Sequence, residues 1–186
     1  AYSVDFDAQF VIFFVVYGWT AGHSILEAAQ RTDDMFVTIL EEIEAIRKRI
    51  GHFPACICAD VNADTEDIPT LSAMLEGSWT DFGKEAAVRG GTACQATCRA
   101  TKDSAETRRD FCFVNELLYP AVSGFQVDHA DTFPTHQPLQ LRLAMGKLGS
   151  IGNRCRKTTS AADKVQESIH EYEKSNPEAS QDTARK

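Results

Sequence analysis

"ACICADVNAD", residues 55–64, decides how this chain is read. Ala55, Ile57 and Ala59 alternate with Cys56 and Cys58, the period of a strand with two covered faces. Asp60, Asn62 and Asp64 then arrive together at its tip. Strand tips in layered α/β folds are where ligand-handling groups gather.

The surrounding sequence supplies a partner on each side. Upstream, "FVIFFVVY" (10–17) is a Val-, Ile- and Phe-rich run that reads as a strand buried on both faces. It is far short of the roughly 20 residues that span a bilayer, and it lacks the basic leader of a signal peptide. Between the two strands lies a helical pattern. Thr32 is its expected N-cap, with Asp33 and Asp34 in the first turn. Phe36, Leu40, Ile43 and Ile50 fall on one face, and Gly51 stands at the C-terminal stop. Strand, helix, strand is a βα-type unit.

Downstream, "IPTLSAMLEG" reads as a short helix ended by Gly77, with Asp64 and Asp67 as its capping carboxylates. "SWTDFGK" is a turn or short strand, and "GTACQATC" a weak strand with loop character. "RRDFCFVN" (108–115) is an alternating strand; further strands are expected near Phe125–Val127 and at 138–143.

With 186 residues, 43% hydrophobic and 25% charged, the chain has material for one domain with a real core. That domain is placed at 1–145. Residues 146–186 form a polar tail with one lone helix, from Ser160 and Asp163 through Val165, Ile169 and Tyr172, and a disordered end. Its thin apolar stripe is a candidate docking surface for a protein partner. The chain starts at Ala1 rather than Met, as a processed product or fragment does.

The net charge of −8 divides unevenly: residues 1–149 carry a net −9 and residues 150–186 a net +1. An acidic domain is a poor non-specific binder of nucleic acid. Against that trend, Lys84, Arg89, Arg99, Lys102, Arg108 and Arg109 form a locally basic run, either a phosphate-facing loop or a solvated one. None of the six cysteines forms a CxxC pair. "CQATC" has a zinc-like interval but no second pair, so the cysteines read as buried free thiols of a reducing intracellular compartment, cytoplasm or nucleus. His23, His52 and His129 read as solvated or capping groups, and Trp19 and Trp79 as packing residues.

Three polar clusters sit on or just after strands: Asp60 with Asn62, Asp110, and His136 in "FPTHQP". Carboxylate and amide oxygens suit a hard divalent cation. A phosphoryl reaction needs a metal, a group to position water and a cation or histidine near developing charge. The D-x-N-x-D start of an EF-hand is present, but Thr65 stands at the position requiring Gly and Leu71 at that requiring Glu, so that reading fails.

"CADVNAD" resembles the G-D-x-N motif of the endonuclease/exonuclease/phosphatase superfamily. "RRDFCF" is similar to its R-[IL]-D-Y-[IF] strand, "PTHQPL" to its S-D-H-x-P motif, and "VVYG" to its strand ending in Tyr. The four stand in the family's order over residues 8–143. The resemblance implies an α/β (α+β) fold, a partial four-layer β-sandwich flanked by helices. It implies Mg²⁺- or Mn²⁺-dependent hydrolysis of a phosphodiester or phosphomonoester. Members of this kind include repair nucleases, retroelement endonucleases, inositol polyphosphate phosphatases and deadenylases.

Carried over by position, Asp60 activates the attacking water and is the candidate metal ligand. Asn62 holds that water and a phosphate oxygen. Asp110 orients His136, which contacts the scissile phosphate. Tyr17 touches the phosphate, and Arg108 is a further candidate phosphate contact. The departures are Ala59 for Gly, Arg109 for Leu or Ile, and Thr135 for the metal-site Asp. The family's N-terminal half, with its Asn and metal-binding Glu, does not fit into "AYSVDFDAQ", and Asp5 and Asp7 are not stand-ins. A half-built sandwich is expected to leave an apolar sheet edge open.

Two function classes follow. One is a phosphodiesterase of nuclease type, acting on DNA ahead of RNA, or a phosphatase acting on a phosphorylated small molecule. The other is a catalytically impaired fragment, the C-terminal part of such a domain, or a degenerate copy of it, serving as a non-enzymatic interaction module. No membrane partner is implied.

Overall fold

A computed structural model describes residues 2–6, 9–20, 24–99, 101, 103–129 and 135–148. The expected tail helix lies outside them. Five strands form the larger sheet in the order β1-β2-β3-β5-β4: β1 (Tyr2–Phe6), β2 (Gln9–Tyr17), β3 (Ala55–Asp60), β4 (Trp79–Asp81) and β5 (Asp110–Asn115). β6 (Val122–Val127) and β7 (Leu139–Leu143) form a two-stranded sheet. The helices are α1 (Ile25–Ile50) and α2 (Pro69–Glu76).

β2 and β3 run parallel through the α1 crossover, and β3 pairs antiparallel with β5. Strand alternation divides the core in two. Phe10, Ile12, Phe14 and Val16 of β2, Ile57 and Ala59 of β3 and Phe111 and Phe113 of β5 pack with α1 and α2. The opposite face carries Val11, Cys56, Cys112 and Val114, which meet Val122 and Phe125 of the small sheet. The result is helices on a five-stranded sheet on a two-stranded sheet, the α/β sandwich expected of the sequence.

Four local expectations need correction. The helix starts about two turns before Thr32. Ser24 is the N-cap, its hydroxyl accepting from the Glu27 N–H at 3.4 Å. Thr32 is fully buried within α1, and its hydroxyl accepts from the Trp19 N–H at 2.9 Å. That bond ties the turn after β2 to the helix.

Asp64 and Asp67 do not cap α2. The N-cap there is Ile68 with no side-chain cap, and Asp33 of α1 accepts from the Thr70 N–H at 2.7 Å instead. A carboxylate from a neighbouring helix thus serves an orphan donor that no local residue reaches.

β2 is buried along its whole helix-facing side, but Val15 and Tyr17 on the other side are 67% and 65% exposed. The small sheet covers only the first part of that strand. The free edge of β2, in turn, is paired with β1 from Phe6↔Gln9 to Tyr2↔Phe13, which blunts the open edge expected above. At the other end, Leu148 is buried in the inter-sheet core.

Phe36 anchors the helix layer. It is fully buried and meets Phe113 edge-on, with ring centroids 6.3 Å apart. Phe36→Ala is expected to lower the unfolding free energy by about 3–5 kcal/mol, read from the midpoint of urea denaturation at unchanged slope.

Candidate active site

The site grows from the pairing of β3 with β5. The Val61 N–H donates to the Arg109 carbonyl at 2.8 Å. The neighbouring pair, Asp60↔Asp110, is therefore of the non-hydrogen-bonded kind, in which facing Cα atoms stand only about 4.5 Å apart. Two carboxylates are placed side by side at the strand tips by register alone.

His136, just before β7, closes the cluster. Its Nδ1 lies 2.9 Å from Asp110 Oδ2, and its Nε2 lies 3.9 Å from Asp60 Oδ2. The backbone holds it there through Thr97. The Gln137 N–H donates to the Thr97 carbonyl at 2.7 Å. The Thr97 hydroxyl accepts from the N–H groups of Arg109 at 3.0 Å and Asp110 at 2.9 Å. Thr97 is almost completely buried. It joins the His136 segment to the start of β5, a role that sequence reading missed. A threonine in a loop-like stretch carries no signal that its hydroxyl serves two distant backbone donors.

Asn62 sits at φ 55°, in the left-handed region that Asn tolerates. Its side-chain amide donates to the Gly18 carbonyl at 3.0 Å. Gly18 also donates to the Asp60 carbonyl at 2.6 Å, and a Cβ there would run into the Val61 carbonyl. Tyr17 is in register with Asp60 and exposed. Thr135 precedes His136, its carbonyl accepting from the Arg99 N–H at 2.9 Å.

Arg108 is not in the cluster. It forms a bidentate pair with Asp81 and lies over the Phe111 ring, 4.4 Å from the centroid. The basic run is similarly engaged: Lys84 with Glu66, Arg99 with Glu106, Arg109 with Asp64. Trp19, expected to pack, is half exposed under the Arg31 guanidinium. Cys94 is exposed rather than buried.

Burial raises the Asp60 pKa, and the Asp110 charge raises it further; His136 and hydrogen bonding to Asn62 pull it back. Asp60 Oδ1 is buried without a hydrogen-bond partner. Two facing carboxylates, one with an orphaned oxygen, form an environment that a cation would relieve. Ligand atoms of Asp60, Asp110 and His136 all lie within 4.8 Å of one another. The donor set therefore fits a divalent ion, with Asp60 and Asp110 supplying hard oxygens. The neutral Thr135 hydroxyl is a poorer ligand than a carboxylate.

The hydrogen bond to Asp110 raises the His136 pKa above its ordinary value, burial opposes this, and the Asp110 and Asp60 charges add to the rise. The His136 ring protons are expected to titrate above the usual 6.5 in a proton NMR titration, and to move back toward it in Asp110→Asn. Because the folded value is raised, the stabilisation is complete below the unfolded pKa and fades as pH rises through the folded one.

No family model and no curated protein matches the sequence. Solved structures do. A 3'-5' exonuclease, NExo, from Neisseria meningitidis superposes with a TM-score of 0.54 at 12% identity, over 76% of this chain and 63% of that one. The chain shares its fold with this exonuclease. A 3' phosphatase form of NExo bound to a product DNA hairpin gives a TM-score of 0.53 at 13% identity, with the same coverage. A mannosyl-6-phosphatase from Bacteroides thetaiotaomicron gives 0.50 at 17% identity, over 74% of this chain and 52% of that one. This chain thus spans less than two thirds of the length of these proteins. Among the described residues no helix is long and apolar enough to cross a membrane.

Proposed function

We propose that this chain is a divalent-metal-dependent phosphoesterase that hydrolyses a phosphodiester of nucleic acid, DNA ahead of RNA. The observation that carries the reading is the Asp60–Asp110–His136 cluster: opposed carboxylates, a buried carboxylate oxygen without a partner, and a histidine held by one carboxylate and facing the other. Asp60, with Asp110 in reach, would hold Mg²⁺ or Mn²⁺. The ion would supply charge stabilisation for the phosphate.

The remaining work falls to the chain's own groups. Asp60 accepts a proton from the attacking water, as a positioned general base. Asn62, fixed by its bond to Gly18, orients that water and a phosphate oxygen. Asp110 holds His136 by Nδ1, which leaves Nε2 to donate to the phosphate as charge develops. Tyr17 offers its exposed ring and hydroxyl from the adjoining strand.

Exposed Tyr17 and Trp19 near the strand tips favour a polymer with bases to stack. The pairing of Lys84, Arg99, Arg108 and Arg109 with carboxylates favours the second reading, a phosphatase for a small phosphorylated molecule.

Nicking of supercoiled plasmid and phosphate release from sugar phosphates, each in Mg²⁺ or Mn²⁺ with an EDTA control, separate these. Metal-dependent nicking is the expected result. Phosphate release alone would transfer the assignment to the second reading. Neither activity, from protein shown to be folded, would overturn the proposal in favour of a non-catalytic copy.

A further inference from the structure

We propose that Cys56, Cys58 and Cys112 form a binding site for one soft divalent metal ion of the zinc class, distinct from the carboxylate cluster. The inference does not rest on the hydrolytic reading.

Strand geometry brings the three thiols together. Cys56 and Cys58 are two apart on β3 and share a face. Cys112 of β5 stands directly opposite Cys58. That pair has the same non-hydrogen-bonded phase as Asp60↔Asp110, so its side chains lie close. The Cys56 and Cys112 sulfurs are 3.4 Å apart, those of Cys56 and Cys58 3.7 Å, and all three lie within 4.8 Å of one another. A metal–sulfur bond of about 2.3 Å places thiolates around a shared ion roughly 3.8–4.0 Å apart. The sulfurs already stand near that spacing.

The donor chemistry selects the ion. Thiolates favour zinc-like or cuprous ions over Mg²⁺ and Mn²⁺. The surroundings are largely apolar, with Val11, Phe82, Val114 and Leu118 in the same buried cluster; the nearby charge that acts on Cys112 from outside the thiols is the Asp81 carboxylate, itself paired with Arg108. On binding, three S–H bonds break, three metal–sulfur bonds form and three protons leave to solvent; no electrons move. A divalent ion then leaves a net charge of minus one in the core. A monovalent ion leaves minus two, which is the costlier burial. Cys56 and Cys112 are buried and Cys58 is half-buried, so Cys58 marks the side from which an ion enters.

The test is a Cd²⁺ titration of reduced, full-length protein carrying Cys94→Ser, Cys98→Ser and Cys155→Ser, without oxygen. The expected result is a thiolate-to-cadmium charge-transfer absorbance that saturates at one equivalent, is displaced by Zn²⁺ and ignores Mg²⁺. Adding Cys58→Ser should weaken binding by more than the roughly 10–100-fold seen for residues behind the ligands. Should that variant fail to fold, Cys58→Ala makes the same comparison without a hydroxyl. No charge-transfer band from protein with an unaltered circular dichroism spectrum would overturn the proposal. So would binding that is unchanged on loss of Cys58. Either result would leave the three thiols as core filling.

Discussion

Asp60→Asn is expected to lower phosphoester hydrolysis by a factor of about 10²–10⁴, the usual contribution of a positioned general base, and to raise the stability of the metal-free protein. The two effects share one cause. Asp60 is held beside Asp110, with one oxygen buried and unpaired. Its pKa is raised by burial and then by Asp110. A carboxylate raised on folding binds its proton more tightly in the native state. The protein therefore loses stability as pH climbs from the unfolded carboxylate value, about 3.9, through the folded one. At neutral pH an ionised Asp60 is a burden. Asparagine removes the charge, and its amide can donate to Asp110. Added Mn²⁺ should raise the thermal midpoint of the wild type, since a ligand that binds only the native state stabilises it. It should do little for Asp60→Asn. Turnover within tenfold of wild type would remove Asp60 from the chemistry. An Asp60→Asn protein less stable than wild type at neutral pH, without metal, would contradict the electrostatic account.

The positions of Asp60, Asn62, Asp110 and His136 were legible because each is tied to a strand whose alternation is plain in the sequence. Once Ala55–Asp60 and Asp110–Asn115 pair, register brings the carboxylates together without further instruction. What stayed hidden depends on partners far along the chain. Thr97 looks like any loop threonine, yet its hydroxyl serves Arg109 and Asp110. Asp33 reads as a first-turn residue of its own helix, yet it caps α2. Thr32 has the chemistry of an N-cap, but Ser24 caps a longer helix and tertiary packing buries Thr32 inside it. The strand at Tyr2–Phe6 is too short for periodicity to declare it and exists by pairing with β2. Arg108 drew a phosphate role from its place beside Arg109 and Asp110; its partner, Asp81, is 27 residues away on β4.

That Arg108–Asp81 pair carries a large expected effect on stability. The Asp81 side chain is 2% exposed and that of Arg108 14%. Both Asp81 oxygens accept from the guanidinium, and Oδ1 also accepts from the Gly83 N–H at 3.1 Å. Gly83 has to be glycine for this approach, because a Cβ there would collide with the guanidinium. Asp81→Ala removes one charge and strands the other beside the Phe111 ring. Breaking a buried pair in this way costs about 3–5 kcal/mol. The loss should appear as a lower urea midpoint with little change in slope. A packing-only account predicts that removing both partners is worse than removing one. The electrostatic account predicts the opposite: Asp81→Leu with Arg108→Met should recover most of the loss, because no unpaired charge remains. If the double variant is less stable than Asp81→Ala, the pair matters for its shape and not for its charges. Recovery would also test the site. Arg108 lies two residues before Asp110, so the double variant should keep the His136 titration of the wild type only if the pair has no part in orienting the start of β5.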